Sequence, residues 1–240
     1  MNELHPYRYN AKTHVGLKRK VNEDAVLALP EHDIWVVSDG MGGHDAGDFA
    51  SRLVTDSIAT VPAGLGPTDR MHAMRDAIQA AHRMILAEAE ARGRGVIGAT
   101  VAALMMADGH FVALWAGDSR IYRLRGGVIE MLTTDHSAVA ELVTAGRMTW
   151  DEAEHHPQSN AITRAVGVGD DLELDKVRGE TQAGDRYLLC SDGLTKYATF
   201  GILRDMMMRL PLETLSDELV QLALTGGGAD NISVIAVDVL

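Results

Sequence analysis

Four aspartates, each placed where an apolar, strand-like run gives way to small residues, constrain this chain more than any other feature. Asp39 follows Ile34-Trp35-Val36-Val37-Ser38 and precedes Gly40, and Asp118 follows Ala113-Leu114-Trp115-Ala116-Gly117. Asp192 follows Tyr187-Leu188-Leu189-Cys190-Ser191 and precedes Gly193. Asp230, after Gly226-Gly227-Gly228-Ala229, stands just ahead of the run Ile232-Ser233-Val234-Ile235-Ala236-Val237. Beside glycine, a carboxylate at a sheet edge approaches an ion with no side chain in the way. Several such edges together make an all-oxygen cage suited to Mg²⁺ or Mn²⁺. A single Asp-Gly or Gly-Asp pair reads more simply as a turn. Four of them, each on a buried-type strand, favour the metal site.

The bulk properties narrow the setting. A length of 240 residues fits one large domain or two small ones, and the 46% hydrophobic content is enough for a sizeable core. No apolar stretch reaches the roughly 18 residues that span a bilayer, and the first residues lack the apolar centre of a signal peptide. With Cys190 as the one cysteine no internal disulfide forms, and a cytoplasmic location is expected. Its apolar strand makes that thiol a buried structural group rather than a nucleophile. The net charge of −12 argues against nucleic acid or an anionic membrane as partner.

Periodicity predicts strands over residues 7–15, 25–30 and 34–38, the last two joined through Pro30-Glu31-His32-Asp33. A glycine-rich loop over 40–47 leads to a helix over 48–60. A second helix starts at Thr68 or Asp69 and carries Met71, Met74, Ile78, Ala81, Ile85 and Ala89 at helical spacing. Strands over 100–106, 110–116, 121–124 and 128–132 are expected to pack as a meander, with Arg125-Gly126-Gly127 as the last turn. A helical insertion follows, with one helix over 137–145 and a capping box at Thr149-Trp150-Asp151-Glu152. Strands over 172–177 and 186–190, helices over 199–209 and 212–224, and a final strand over 232–239 complete an α+β pattern of antiparallel sheets with helices outside.

Upstream, Lys18-Arg19-Lys20 stands just ahead of Glu23-Asp24. An arginine beside a divalent-metal site suits a phosphoryl group, because its fork matches two phosphate oxygens.

Taken together, Val15-Gly16, Arg19, Asn22-Glu23-Asp24, Ser38-Asp39-Gly40-Met41-Gly42-Gly43-His44, Gly47, Ala116-Gly117-Asp118-Ser119-Arg120-Ile121-Tyr122, Leu132-Thr133-Thr134-Asp135-His136-Ser137, Cys190-Ser191-Asp192-Gly193-Leu194 and Asp230-Asn231-Ile232-Ser233 closely resemble the metal-dependent protein phosphatases of the type 2C (PPM) family, in their bacterial form. These motifs occur in order along nearly the whole chain. The resemblance implies a four-layer αββα sandwich: two stacked antiparallel sheets flanked by helix pairs, with a helical flap at about 136–169, all in one catalytic domain over 1–240. It implies hydrolysis of phosphoserine and phosphothreonine in proteins by a metal-activated water at a centre of two or three Mn²⁺ or Mg²⁺ ions. The substrates would be phosphoproteins, among them a serine/threonine kinase that the enzyme opposes, and the chain is expected to be a monomer.

Carried over residue by residue, the resemblance makes Asp39 the bridging carboxylate, helped by the Gly40 carbonyl. Asp192 and Asp230 would hold the first metal, Glu23 and Asp24 the second, and Asp118 a third shared with Asp192. Arg19 would bind the phosphoryl group. His44, in the glycine loop directly after Asp39, is the candidate proton donor to the leaving alkoxide, while His136 is a candidate to orient a neighbouring group. Two departures stand out. His14 and Lys196 occupy places where family members often have an acid, and neither is an implied ligand, so altered surface or substrate preference is expected. The rival readings are a non-catalytic phosphoprotein-binding module and a different two-metal hydrolase; the acidic charge speaks against a nuclease.

Overall fold

The structure, a computed structural model, describes residues 5–42, 46–93 and 95–240. One sheet has the order β1-β11-β10-β7-β8, formed by β1 (Tyr7–His14), β11 (Ile232–Val239), β10 (Arg186–Cys190), β7 (Arg120–Arg125) and β8 (Val128–Met131). The other has the order β2-β3-β5-β6-β9, formed by β2 (Asp24–Leu29), β3 (Ile34–Met41), β5 (Val101–Ala107), β6 (His110–Ala116) and β9 (Asp175–Glu180), with β4 (Gly98–Ala99) beside the end of β3. Every strand pairing is antiparallel. Helices α1 (Ala46–Ala59) and α2 (Pro67–Ala91) cover the second sheet. Helices α5 (Asp192–Thr195), α6 (Phe200–Arg209) and α7 (Leu212–Gly226) cover the first. The segment between β8 and β9 carries α3 (Ala140–Thr144) and α4 (Trp150–Ala153).

The central strands are apolar on both faces because each face meets a different layer. In β3, Trp35 and Val37 join the core between the sheets, while Ile34 and Val36 pack under α1 and α2. The same parity divides β5 and sorts Leu189 from Leu188 in β10 and Val237 from Ala236 in β11. A strand buried on both sides reads as a continuous apolar run, and its period of two becomes visible only once its neighbours are known.

The expected elements are present, with three corrections. The four middle strands do not form one meander: β5 and β6 pair in one sheet and β7 and β8 in the other. The chain crosses between sheets at Gly117-Asp118-Ser119, where Gly117 has φ 109° and a Cβ would stand 2.6 Å from Thr100 Cγ2. The strand expected over 172–177 forms three residues later, because Leu172 and Leu174 pack against the core beneath α2 rather than joining a ladder. β3 runs through Asp39 to Met41 instead of stopping at residue 38.

Candidate active site

All five candidate aspartates lie at one end of the sandwich, where β2 and β11 begin and β3, β6 and β10 end. Asp24 and Asp39 are direct partners across β2 and β3, so their side chains leave the same face. Asp39 has the parity of Trp35 and Val37, which points it between the sheets. Asp24 crosses the gap: its Oδ2 accepts a hydrogen bond from Ser191 Oγ (2.8 Å) at the end of β10 in the opposite sheet. Ser191 Oγ in turn accepts the Ser233 N–H (3.1 Å). The Asp39 backbone is fixed by Thr100, whose Oγ1 accepts its N–H (2.9 Å) and whose N–H donates to its carbonyl (2.8 Å). Asp118 occupies the crossover between sheets, Asp192 opens α5, and Asp230 immediately precedes Asn231 and β11.

The segment over 15–23 is tied down by Asn231. Its Nδ2 donates to the carbonyls of Val15 (2.9 Å) and Val21 (3.0 Å), and its Oδ1 accepts the Glu23 N–H (2.8 Å). The Gly40 N–H donates to the Glu23 carbonyl (3.0 Å). Glycines allow this approach: a Cβ on Gly40 would lie 2.0 Å from the Gly47 carbonyl oxygen, and one on Gly47 would lie 2.5 Å from Glu23 Oε1. Arg19 reaches Asp230 through Nε (2.8 Å to Oδ1) and Nη2 (3.0 Å to Oδ2), with its side chain half exposed.

The electrostatics are those of crowded acids. Burial, reinforced by Asp192 and Asp230, raises the Asp24 carboxyl to about 7 despite hydrogen bonds from Ser233 and Ser191. Asp39 and Asp118 are pushed well above the usual carboxylate range, first by burial and then by neighbouring carboxylates. Burial acts upward on Asp230 too, but Arg19 and Lys196 hold it below the usual range. Asp24 Oδ1 and Asp192 Oδ1 are buried with no hydrogen-bond partner. Orphaned, mutually repelling carboxylate oxygens fit a hard divalent cation, which would satisfy both the lone pairs and the charge. Among the described residues no three His, Cys, Asp or Glu side chains already close into a finished cage. Asp192 and Asp230 turn instead to Lys196 Nζ, at 2.8 and 3.2 Å. His44 lies outside the described residues.

Comparison with known proteins fits this layout. The profile of the family described as Protein phosphatase 2C matches residues 16–223. The chain belongs to the protein phosphatase 2C family. The structure of PppA, described as a key regulatory component of T6SS in Pseudomonas aeruginosa, superposes with a TM-score of 0.91 at 43% identity, covering 98% of each chain. Protein phosphatase PhpP of Streptococcus pneumoniae is 37% identical over 92% of this chain and 93% of its own length. Serine/threonine protein phosphatase PstP of Mycobacterium tuberculosis is 36% identical over 97% of this chain, which spans only 45% of that protein's length. The catalytic domain of PstP, solved in complex with 2 manganese ions, superposes with a TM-score of 0.84 at 35% identity over 98% of each chain.

Three residues of this protein phosphatase 2C chain do work at the site beyond what the motifs alone assigned them. Asn231 pins the Arg19 segment. Lys196 is not at the surface but between two of the candidate ligands, with only 19% of its side chain exposed. Arg120, buried in β7, grips Asp135 with two nitrogens (Nε 2.9 Å, Nη2 2.6 Å), pairs with Glu154 (2.8 Å) and stacks over Trp150 (5.0 Å). It thereby ties the α4 segment to the strand that follows Asp118. The detectable signal was an arginine opening the β7 run, directly after Asp118-Ser119. Cys190 is fully buried, and burial pushes its thiol up to about 12, so it is not a nucleophile.

His136 orients the turn before Asp118. Its Nδ1 lies 3.1 Å from the Gly117 N–H, which can only donate, so that nitrogen carries no proton. The ring stacks on Trp115 at 6.2 Å. Burial, then the nearby Arg164 cation, lower its pKa although Asp175 opposes them. A lowered folded-state value means that the unfolded chain takes up the proton first. The stability this histidine contributes is therefore complete above the unfolded value of about 6.5 and is lost as pH falls through the folded one. The denaturation midpoint should drop between pH 7 and pH 5. His136→Asn, which keeps an acceptor for Gly117, should make that drop shallower in urea titrations at the two pH values.

Proposed function

We propose that this chain hydrolyses phosphoserine and phosphothreonine in proteins, as one catalytic domain over 1–240 whose segment 136–169 borders the site. The observation that carries the reading is the meeting of buried carboxylates from both sheets, two of their oxygens lacking partners, within reach of an exposed arginine. The residues that would hold Mn²⁺ or Mg²⁺ are Glu23, Asp24, Asp39 with the Gly40 carbonyl, Asp118, Asp192 and Asp230. When bound, such ions supply Lewis-acid activation of water near neutral pH. Support comes from the named activities of PhpP and PstP and from the 2 manganese ions in the PstP catalytic domain.

The protein's own part is positional. Asp39, fixed by Thr100 and facing Asp24, is placed to serve both halves of the centre. Arg19 is half exposed at the rim, so its guanidinium can leave Asp230 and present two donors to phosphoryl oxygens. His44 is proposed to hold the proton that the departing serine or threonine oxygen needs. A serine/threonine kinase is proposed among the phosphoprotein substrates, with the chain acting as a cytoplasmic monomer. No described helix is long and apolar enough to cross a membrane.

The test is phosphate release from a phosphothreonine peptide with Mn²⁺, against the same assay in excess chelator and against DNA and nucleotide substrates. Full activity in chelator, or preference for DNA, would reject the proposal. Arg19→Ala should raise KM roughly ten- to a hundredfold with a smaller change in kcat, the loss expected for one charge-assisted contact. Peptide titration kinetics check it.

A further inference from the structure

Lys196 follows α5 one turn after Asp192, and its N–H donates to the Asp192 carbonyl (3.1 Å), which fixes the start of its side chain. Its ammonium lies 2.8 Å from Asp192 Oδ2 and 3.2 Å from Asp230 Oδ2. Asp230 is thus fully engaged: Oδ1 takes Arg19 Nε and the Asn231 N–H, and Oδ2 takes Arg19 Nη2 and Lys196. Asp192 keeps only Oδ1 free.

Resting on the reading above, we propose that Lys196 is a resident cation of the site, occupying the Asp192–Asp230 pair until a divalent ion displaces it. A lysine stem has four rotatable carbons and a compact head, so it can swing away without backbone movement. The Lys196 side chain is only 19% exposed, and its ammonium faces one oxygen of each aspartate. The same contacts that keep the metal-free acids from repelling one another must be broken before a dication can use those oxygens. Metal uptake at this pair is therefore weakened by whatever the ammonium contributes, and the site is set to load only at high free metal. By contrast, the Asp24 carboxylate is held at Oδ2 by the neutral Ser191 hydroxyl rather than by an ammonium, and its Oδ1 has no partner.

The experiment uses the full chain, stripped with chelator, and isothermal titration with Mn²⁺ alone for wild type, Lys196→Met and Lys196→Gln. Removal of the ammonium should tighten one class of Mn²⁺ sites by about tenfold or more, as for loss of a competing charged hydrogen bond, and leave the other class within about twofold. Melting of the same proteins gives a second readout. The stripped variants should melt lower than wild type, while their gain in Tm on adding Mn²⁺ should be larger. A lysine that merely braced the fold would lower stability with and without metal and leave affinity unchanged or weaker, and that result overturns the inference. If Lys196→Met does not fold, the Gln variant decides by the same criterion. Should wild type take up no Mn²⁺ at any concentration, this inference and the functional reading both fail. Equal affinity in all three proteins removes this inference alone.

Discussion

Asp39→Asn should leave a folded protein whose turnover with Mn²⁺ is reduced by about a thousandfold or more. The amide keeps the shape of the carboxylate but replaces one anionic oxygen with an NH₂ that cannot bind a cation. About 4 kcal/mol of lost transition-state stabilisation corresponds to three decades in rate. The fold should tolerate the change because the position of Asp39 is set through its backbone, by Thr100 on both N–H and carbonyl. Removal of one charge from a crowd of buried acids should leave the metal-free melting temperature unchanged or higher. Single-turnover kinetics with a phosphothreonine peptide, paired with circular-dichroism melting, check both halves. Activity within tenfold of wild type would take Asp39 out of its central place.

Gly193→Ala should be the most disruptive such substitution among the described glycines. A Cβ there would lie 1.8 Å from the Asn231 carbonyl oxygen, which is backbone and cannot rotate away. Either the start of α5 or the turn at 230–231 must move, and those segments carry Asp192 and Asp230. Overpacking of this kind costs about 1–3 kcal/mol, or more where backbone must shift. For a chain of this size that lowers Tm by roughly 2–4 °C per kcal/mol. The fall in activity should exceed the stability loss, because geometry fails before the fold does. Gly201→Ala in α6 is the control. Its nearest neighbour would be Thr199 Oγ1 at 3.9 Å, so it should be neutral or stabilising by the helix preference for alanine. Differential scanning calorimetry and phosphate release measured on the same samples separate the two effects.

Much of this arrangement was legible in the sequence because the signals were local and strong. Continuous apolar runs over 34–38, 187–191 and 232–237 marked strands buried on both faces, and the aspartates at their ends marked one end of the sandwich. The double glycine at 126–127 marked a tight hairpin, and both residues have positive φ (55° and 80°). Information that depends on pairing was not legible. The chain passes from β6 to the other sheet at Gly117, where a Cβ would collide with Thr100, seventeen positions upstream and in no pattern that local periodicity shows. β9, an edge strand alternating charged and small residues, was masked by Leu172 and Leu174 just before it. Lys196 read as surface because its partners, Asp192 and Asp230, are brought together only by the fold.

The contact from Ser191 to Asp24 means that no one layer owns the chemistry. Any sliding of one sheet across the other pulls the reactive end of the molecule apart before it exposes much of the apolar interior. Catalytic competence is thus a mechanical gauge of how well the two halves are seated.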